Sequence, residues 1–446
     1  MLEFIISKAV EENFITIIND EYSTKGSFDV RRLSIQVKSS CYDHVQANMS
    51  LTQARSFSLW GPAQLMCYVS KFQLLRVLCL DVYASTDDQY DLSNISNLFQ
   101  LRYLRTRGIR CKKLLPHLQK LQHLRTLEIF DKMAYVETLQ LDIVKSSTTL
   151  WHLNIPDNVR LVGGIGRMTA LHTVATLSLS DTECIKEISE LSNLKDLELL
   201  GTYSCTECTY GFLLSSLCKL GTCNLQSLTI RPEYRGFDLR LDFLTCWSPP
   251  PRHLRRLHVL HCPFSVVPKW IALLNELSSL EIQVVALRND GVEILSRLPS
   301  LLQLRLIVKD HVPEEGVVIC STAFQNLKEF EFRYKVPCLT FQAGAMPRLR
   351  SLYIICHPEG VQQVNGVLVG VEHLGNLKAF KVRIYNPRDL YPPRPVPCSA
   401  SCIEPEKTHE EKEHVMYMHN LKAAVQKAIS KHPGRPVVNI EILHGF

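Results

Sequence analysis

The chain has 446 residues, with 50 Lys and Arg against 44 Asp and Glu and a formal net charge of +6. So even a balance, with no strongly basic stripe visible along the sequence, argues against nucleic acid as the main ligand. The 16 cysteines are too dilute for a disulfide scaffold and lie on or beside apolar segments, which fits free thiols in a reducing compartment.

The opening residues carry Glu3 and Lys8 without the form of a signal peptide, and no run of 18 apolar residues suggests a membrane span. The expected location is therefore cytoplasmic. Residues 2–9 read as a short amphipathic helix, 11–18 as an apolar, strand-like run and 22–29 as a polar loop. Two strand-like units of poor consensus follow at 31–35 and 54–59.

From Phe72 the pattern sharpens. FQLLRVLCL sets Leu75, Leu78 and Leu80 at L-x-x-L-x-L spacing. The shape returns in LQHLRTLEI, LSNLKDLEL, LNELSSLEI, MPRLRSLYI and LGNLKAFKV. Anchored on the second Leu, units fall at Leu75, Leu101, Leu124, Leu150, Leu171, Leu194, Leu225, Leu254, Leu277, Leu301, Leu327, Leu349 and Leu377. The mean spacing, about 25 residues, is that of a leucine-rich repeat. Each unit is a short strand whose alternate Leu and Ile side chains are buried only by stacking on the next copy. The expected fold is an α/β solenoid, a leucine-rich-repeat horseshoe with one curved parallel sheet, a short N-terminal helix and a C-terminal capping helix. The anchors are expected on its strands. The register is weakest at 98–110 and 165–180.

After Asn386 five prolines crowd into thirteen residues, and a charged stretch follows at 404–414. Leu421, Val425, Ala428 and Ile429 then recur at helical spacing up to the breakers Pro433 and Gly434, and VVNIEIL reads as a last strand. The chain accordingly divides into an opening segment (1–28), a repeat domain (29–386), a Pro-rich and charged loop (387–413) and a helix-and-strand cap (414–446).

Metal and catalytic patterns are weak. Cys205 and Cys208 form C-x-x-C, but Cys218 and Cys223 are spaced by four, so a cysteine-rich repeat loop is the preferred reading over zinc. His409, His414 and His419 recur every five residues, about 140° apart around a helix, and HEEKEH is not H-E-x-x-H. GGIGRMT at 163–169 lacks the lysine and spacing of a phosphate loop, and no G-x-S-x-G elbow occurs. Neither an enzyme nor a bound cofactor is expected.

Residues alternating with the buried Leu and Ile of each strand should face the concave side. That row is Arg105, Arg107, Glu128, His258, Glu281, Arg305, Glu331, Arg333, Tyr353, Lys381 and Arg383. As an extended docking surface it suits protein recognition, with Arg333, Tyr353, Lys381 and Arg383 the richest cluster.

Several units carry more than the generic consensus. VPKWIALLNELSSLEI at 267–282 resembles the V-P-x-W-I unit of plant intracellular nucleotide-binding leucine-rich-repeat disease-resistance proteins with N-terminal coiled coils. VRRLSIQ, LLRVLCLD and LRYLRTRG look like their first repeats, and AISKHPGRPVVNIEI resembles the ending common in grass members. In that family a His-Asp pair closes the winged-helix part of the nucleotide-binding module, and a helix like MLEFIISKAVEENF follows. On this resemblance the chain corresponds to the repeat portion alone, without the nucleotide switch. The implied function is recognition of a pathogen effector, or of a host protein altered by one, together with restraint of the nucleotide-binding module. The alternative is a leucine-rich-repeat adaptor, such as a substrate receptor of a ubiquitin ligase.

Overall fold

The computed structural model describes residues 14–19, 30–38, 50–83, 91–130, 137–140, 149–156, 159–202, 207–233, 239–357, 368–385 and 409–443. The helix expected at 2–9 and most of the Pro-rich loop lie outside them. The chain forms two compact units, Met1–Leu225 and Gln226–Phe446.

In the N-terminal unit the strands are β1 (Thr16–Asn19), β2 (Arg32–Gln36), β3 (Ser56–Pro62), β4 (Val77–Tyr83), β5 (Tyr103–Arg107), β6 (Thr126–Phe130), β7 (Glu137–Gln140), β8 (His152–Asn154), β9 (Val159–Val162), β10 (Thr173–Ser178) and β11 (Asp196–Gly201). All but β7 and β9 pair in parallel in chain order, β1 to β6, then β8, β10 and β11. The remaining two form a small parallel pair of their own.

The C-terminal unit repeats the plan with β12 (Ser227–Pro232), β13 (Arg256–Val259), β14 (Ser279–Ala286), β15 (Gln303–His311), β16 (Val317–Ile319), β17 (Glu329–Tyr334), β18 (Leu339–Phe341), β19 (Ser351–Cys356), β20 (Ala379–Tyr385) and β21 (Val437–Leu443). Here β16 and β18 form the side pair, and the rest are parallel neighbours. The architecture is the leucine-rich-repeat solenoid expected of the sequence.

One expectation is corrected. The anchor leucines do not lie on the strands but two residues ahead of them, as Leu75 precedes β4 at Val77 and Leu377 precedes β20 at Ala379. The spacing explains it: L-x-x-L places two side chains three residues apart on one side, which a turn achieves and an extended chain of period two does not. Every anchor is at most 3% exposed, and so are the strand leucines Leu78, Leu127, Leu197, Leu257 and Leu304. Asparagines one residue before the anchor tie the turns together. Asn193, Asn326 and Asn376 each donate an amide N–H to a carbonyl of the preceding unit, Thr169 O, Pro299 O and Pro347 O, at 2.6–3.0 Å.

Among the described residues the helices are few: α1 (Cys111–Leu114), α2 (Thr182–Glu187), α3 (Glu207–Gly221), α4 (Asn289–Ser296) and α5 (His409–Ile429). Most units cross the back of the sheet in short 3-10 turns instead. The VPKWI motif is one of these, spanning Lys269–Leu273. Trp270 is buried there, its indole N–H donating to Leu244 O at 2.8 Å and its ring 5.0 Å from Trp247.

The C-terminal helix begins five residues before the expected His414 and buries Met418, Leu421, Val425 and Ile429. It packs on β21 and on the Val371–His373 turn. His432 then fastens the chain. It is 3% exposed, its Nε2–H donates to Leu374 O at 3.0 Å, and its Nδ1 accepts the Gly434 N–H at 3.0 Å. Among the described residues β21 pairs only with β20, and Val437 remains 77% exposed.

Candidate functional site

Strand register decides which outward side chains are neighbours. In the N-terminal unit one row runs Gln36, Trp60, Asp81, Arg107 and Phe130 across β2 to β6. The row beside it carries Arg105 next to Glu128. Arg107 approaches Asp81 Oδ2 at 3.5 Å, and Arg105 reaches Glu128 Oε2 at 3.9 Å. Both guanidinium groups lie over the Phe130 ring, at 5.4 and 5.1 Å. Glu128 is the hub of this patch: the Tyr103 hydroxyl donates to it at 2.8 Å, and His152 Nε2 lies 3.5 Å away. Burial, and then the Glu128 carboxylate, push the Tyr103 phenol up to about 12.

In the C-terminal unit register lines up His258, Glu281, Arg305, Glu331, Tyr353 and Lys381 on adjacent strands. Arg305 is clasped on both sides, with Nη1 at 3.2 Å from Glu281 and Nε at 2.8 Å from Glu331. Burial works against its charge, but the two carboxylates overbalance that effect and raise its pKa. The two glutamates are only 13% and 12% exposed, while Arg305 between them is 47% exposed. His258 shares a hydrogen bond with Ser279 Oγ at 2.9 Å. Its burial, then Arg256 and Arg305, lower its pKa.

The predicted late cluster is brought together in part. Tyr353 lies beside Lys381, whose ammonium is 5.5 Å from the ring centroid, and Arg383 covers the same ring at 5.8 Å. Arg333 is set apart, two strands from Arg383 with buried Ile355 between them in the same row. Its Nε is buried without a hydrogen-bond partner. Beside it His357 is held to about 4 by burial and by the Arg333 charge, with its ring 5.2 Å from Tyr385.

Sequence reasoning missed three contributors. β21 joins the late face, where Glu441 accepts from Arg383 Nε at 3.0 Å and from the Asn439 amide at 2.8 Å. The alternation in VVNIEIL was the available signal. Trp60, 37% exposed and packed edge-on to Tyr83 at 5.1 Å, adds an aromatic to the early face. The third concerns the absent basic stripe, which is corrected: Arg31, Arg55, Arg76, Arg102 and Arg125, scattered in sequence, stack on consecutive turns.

The cysteine pattern resolves differently. Cys205 lies outside the described residues, while Cys208 and Cys218 stand ten residues apart on α3. His409, His414 and His419 all fall on α5. Among the described residues no group of three metal-ligating side chains occurs, and no helix is long and apolar enough to cross a membrane.

Comparison with known proteins places this geometry. A family model described as a leucine-rich repeat region matches residues 53–390. Rice disease resistance protein RGA5 is 32% identical, covering 86% of this chain and 35% of its own. Rice disease resistance protein Pik-2 is 29% identical, covering 86% and 42%. A probable disease resistance RPP8-like protein of Arabidopsis thaliana is 24% identical. The chain thus spans about a third to two fifths of these relatives. The resemblance to plant resistance proteins holds over most of its length. Among solved structures, a leucine-rich-repeat protein of Leptospira interrogans covers 93% of this chain and 90% of its own, at 14% identity and a TM-score of 0.48. An internalin of Listeria monocytogenes covers 68% and 84%, at 18% identity and a TM-score of 0.44.

Proposed function

Because the chain belongs to the leucine-rich repeat region family, we propose that it is the recognition portion of a plant immune receptor. In this reading it is non-catalytic and cytoplasmic. It binds a pathogen effector, or a host protein modified by one, through the outward face of its strands, and restrains a nucleotide-binding module until that binding occurs. The names of the rice and Arabidopsis relatives support the setting.

The observation that carries the binding site is the Tyr353, Lys381 and Arg383 patch. A half-buried aromatic lies under two cations on adjacent strands. It offers stacking area and hydrogen-bond donors at little cost in conformational entropy. Within this unit Arg305 is engaged by Glu281 and Glu331, and Arg383 by Glu441, so Lys381 is the cation of the patch left to meet a partner. Lys381 has no carboxylate partner among the described residues, which suits an acidic protein surface.

The test is co-expression in leaf tissue of a full receptor carrying this chain with a panel of pathogen proteins, scored for cell death. Tyr353→Ala with Lys381→Glu should abolish the response to the matching protein at unchanged receptor level. Recognition that survives the double substitution would move the site off this patch.

A further inference from the structure

The last strand leaves one edge of its sheet open. β21 runs from Val437 to Leu443 and, among the described residues, pairs only with β20. Val437 N–H donates to Lys378 O at 2.8 Å. Alternate residues of a strand in a parallel ladder send their backbone groups to the same side. Val437, Asn439, Glu441 and Leu443 therefore turn theirs to β20, while Val438, Ile440 and Ile442 turn their N–H and C=O groups to the open edge. The side chains are open too. Val437 is 77% exposed and Val438 44%, and Ile440, Ile442 and Leu443 are half-buried.

Exposed edges are usually blunted by lysine, proline or a bulge. β21 contains no Lys or Pro, and its register with β20 runs unbroken over all 7 residues. Its single charge, Glu441, already accepts from Arg383 at 3.0 Å and from the Asn439 amide at 2.8 Å. We propose that β21 pairs antiparallel with β21 of a second copy of this chain, making a two-fold dimer in which two sheets become one.

The sequence of the strand selects this occupant. A two-fold axis through Ile440, perpendicular to the sheet, opposes Ile440 to itself, Val438 to Ile442, Val437 to Leu443 and Asn439 to Glu441. This register pairs the whole strand and keeps core-side residues opposite core-side residues. It also makes Val438, Ile440 and Ile442 the hydrogen-bonded positions, so each outward N–H of one copy meets a carbonyl of the other. No like charges face each other, and the one polar pair sets an amide donor against a carboxylate. Head-to-tail growth onto β1 of another copy fits less well, because β1 offers 4 residues against the 7 of β21.

The proposal stands apart from the reading of the chain as an immune receptor, but it bears on that reading. β21 adjoins the strands that carry Tyr353, Lys381 and Arg383. In the dimer the two copies of that patch lie on one face, their Tyr353 strands five spacings or about 24 Å apart. The dimer thereby offers both patches to one two-fold partner.

The experiment is sedimentation equilibrium of the full chain over a wide range of protein concentration. A reversible monomer–dimer equilibrium that goes no further is expected. Val438→Pro removes an outward N–H that β20 does not use, at an edge position where proline is tolerated. Symmetry removes the bond twice, so the dimer should weaken about tenfold or more. Asn439→Glu changes an exposed residue and sets carboxylates opposite each other at two places. It should weaken the dimer about threefold or more at low salt, with recovery as salt rises, and it covers the case in which the proline variant folds poorly. Phe99→Ala, which trims an exposed aromatic of the other unit, should change nothing. A chain that stays monomeric at every concentration would overturn the proposal. So would a dimer that both β21 variants leave at full strength, which would lie on another surface. Assemblies that keep growing with concentration would overturn it as well, since a closed two-fold pair stops at two copies.

Discussion

Leu257→Ala is expected to cost about 3–5 kcal/mol. The side chain is 1% exposed on β13 and lies in register between Leu228 and Leu280, themselves buried. Removing three carbons forfeits about 0.8 kcal/mol each, or about 2.4 kcal/mol of transfer free energy. The neighbouring strands are hydrogen-bonded to β13 on both sides, so the backbone cannot close over the gap. An unfilled volume of about 40–80 Å³ then adds about 1–2 kcal/mol at about 24 cal/mol per Å³. Urea unfolding followed by far-ultraviolet circular dichroism reads the loss as a lowered midpoint at constant slope. Leu273→Ala is the control. It removes the same atoms from a residue 56% exposed in the same unit and should stay within about 0.5 kcal/mol of wild type. A Leu257→Ala loss below about 1 kcal/mol, or one equal to that of Leu273→Ala, would refute the claim that strand leucines form the continuous core of this unit.

Gly108 has φ +76°, and a Cβ there would run into the carbonyl of Val82, backbone that cannot step aside. Gly108→Ala should therefore cost at least about 1–2 kcal/mol. Gly211→Ala on α3, with open space at its Cβ, should be neutral or gain up to about 1 kcal/mol in the same unfolding assay. His357 is held to about 4 by its burial and by Arg333, against an ordinary value near 6.5. The unfolded chain thus takes up a proton before the folded one does. The contribution of this group is present above about pH 6.5 and is lost as pH falls through about 4. His357→Gln should flatten the wild-type decline in unfolding midpoint between those values, and an identical pH profile in the variant would contradict the assignment.

The core was legible because its signal is local. A Leu every three and then every two residues needs no partner to be recognised, and each counted anchor is buried. What the pattern could not express was the change of geometry inside the unit, where the anchor ends a turn and the strand starts two residues later. The outward residues were legible as a row but not as pairs. Arg305 reads as a cation in sequence, yet Glu281 and Glu331, 24 and 26 residues away, neutralise it across two strand junctions. Arg333 reads as a neighbour of Arg383, yet buried Ile355 stands between them. Glu441 could be read as part of a last strand but not as the partner of Arg383, because that strand is separated from β20 by a long connection and a helix. Such pairings depend on which units become adjacent, and spacing within one unit carries none of that information.

Arg31, Arg55, Arg76, Arg102 and Arg125, stacked on consecutive turns, show the same limit in reverse. Along the chain they are 21–26 residues apart and dissolve into a nearly neutral composition. Stacking brings them to one-strand spacing, where neighbouring charges about 5–6 Å apart repel by up to about 0.8 kcal/mol in bulk water before salt screening. The anchor position beside each one is buried, but the arginine itself is exposed. Stability alone is served at least as well by a neutral residue there. Arg55→Gln, Arg76→Gln and Arg102→Gln should accordingly unfold at the same or a higher urea concentration than wild type in low salt, with the difference shrinking as salt is added. A clear loss of stability at every salt concentration would mean that the guanidinium groups hold the turns together.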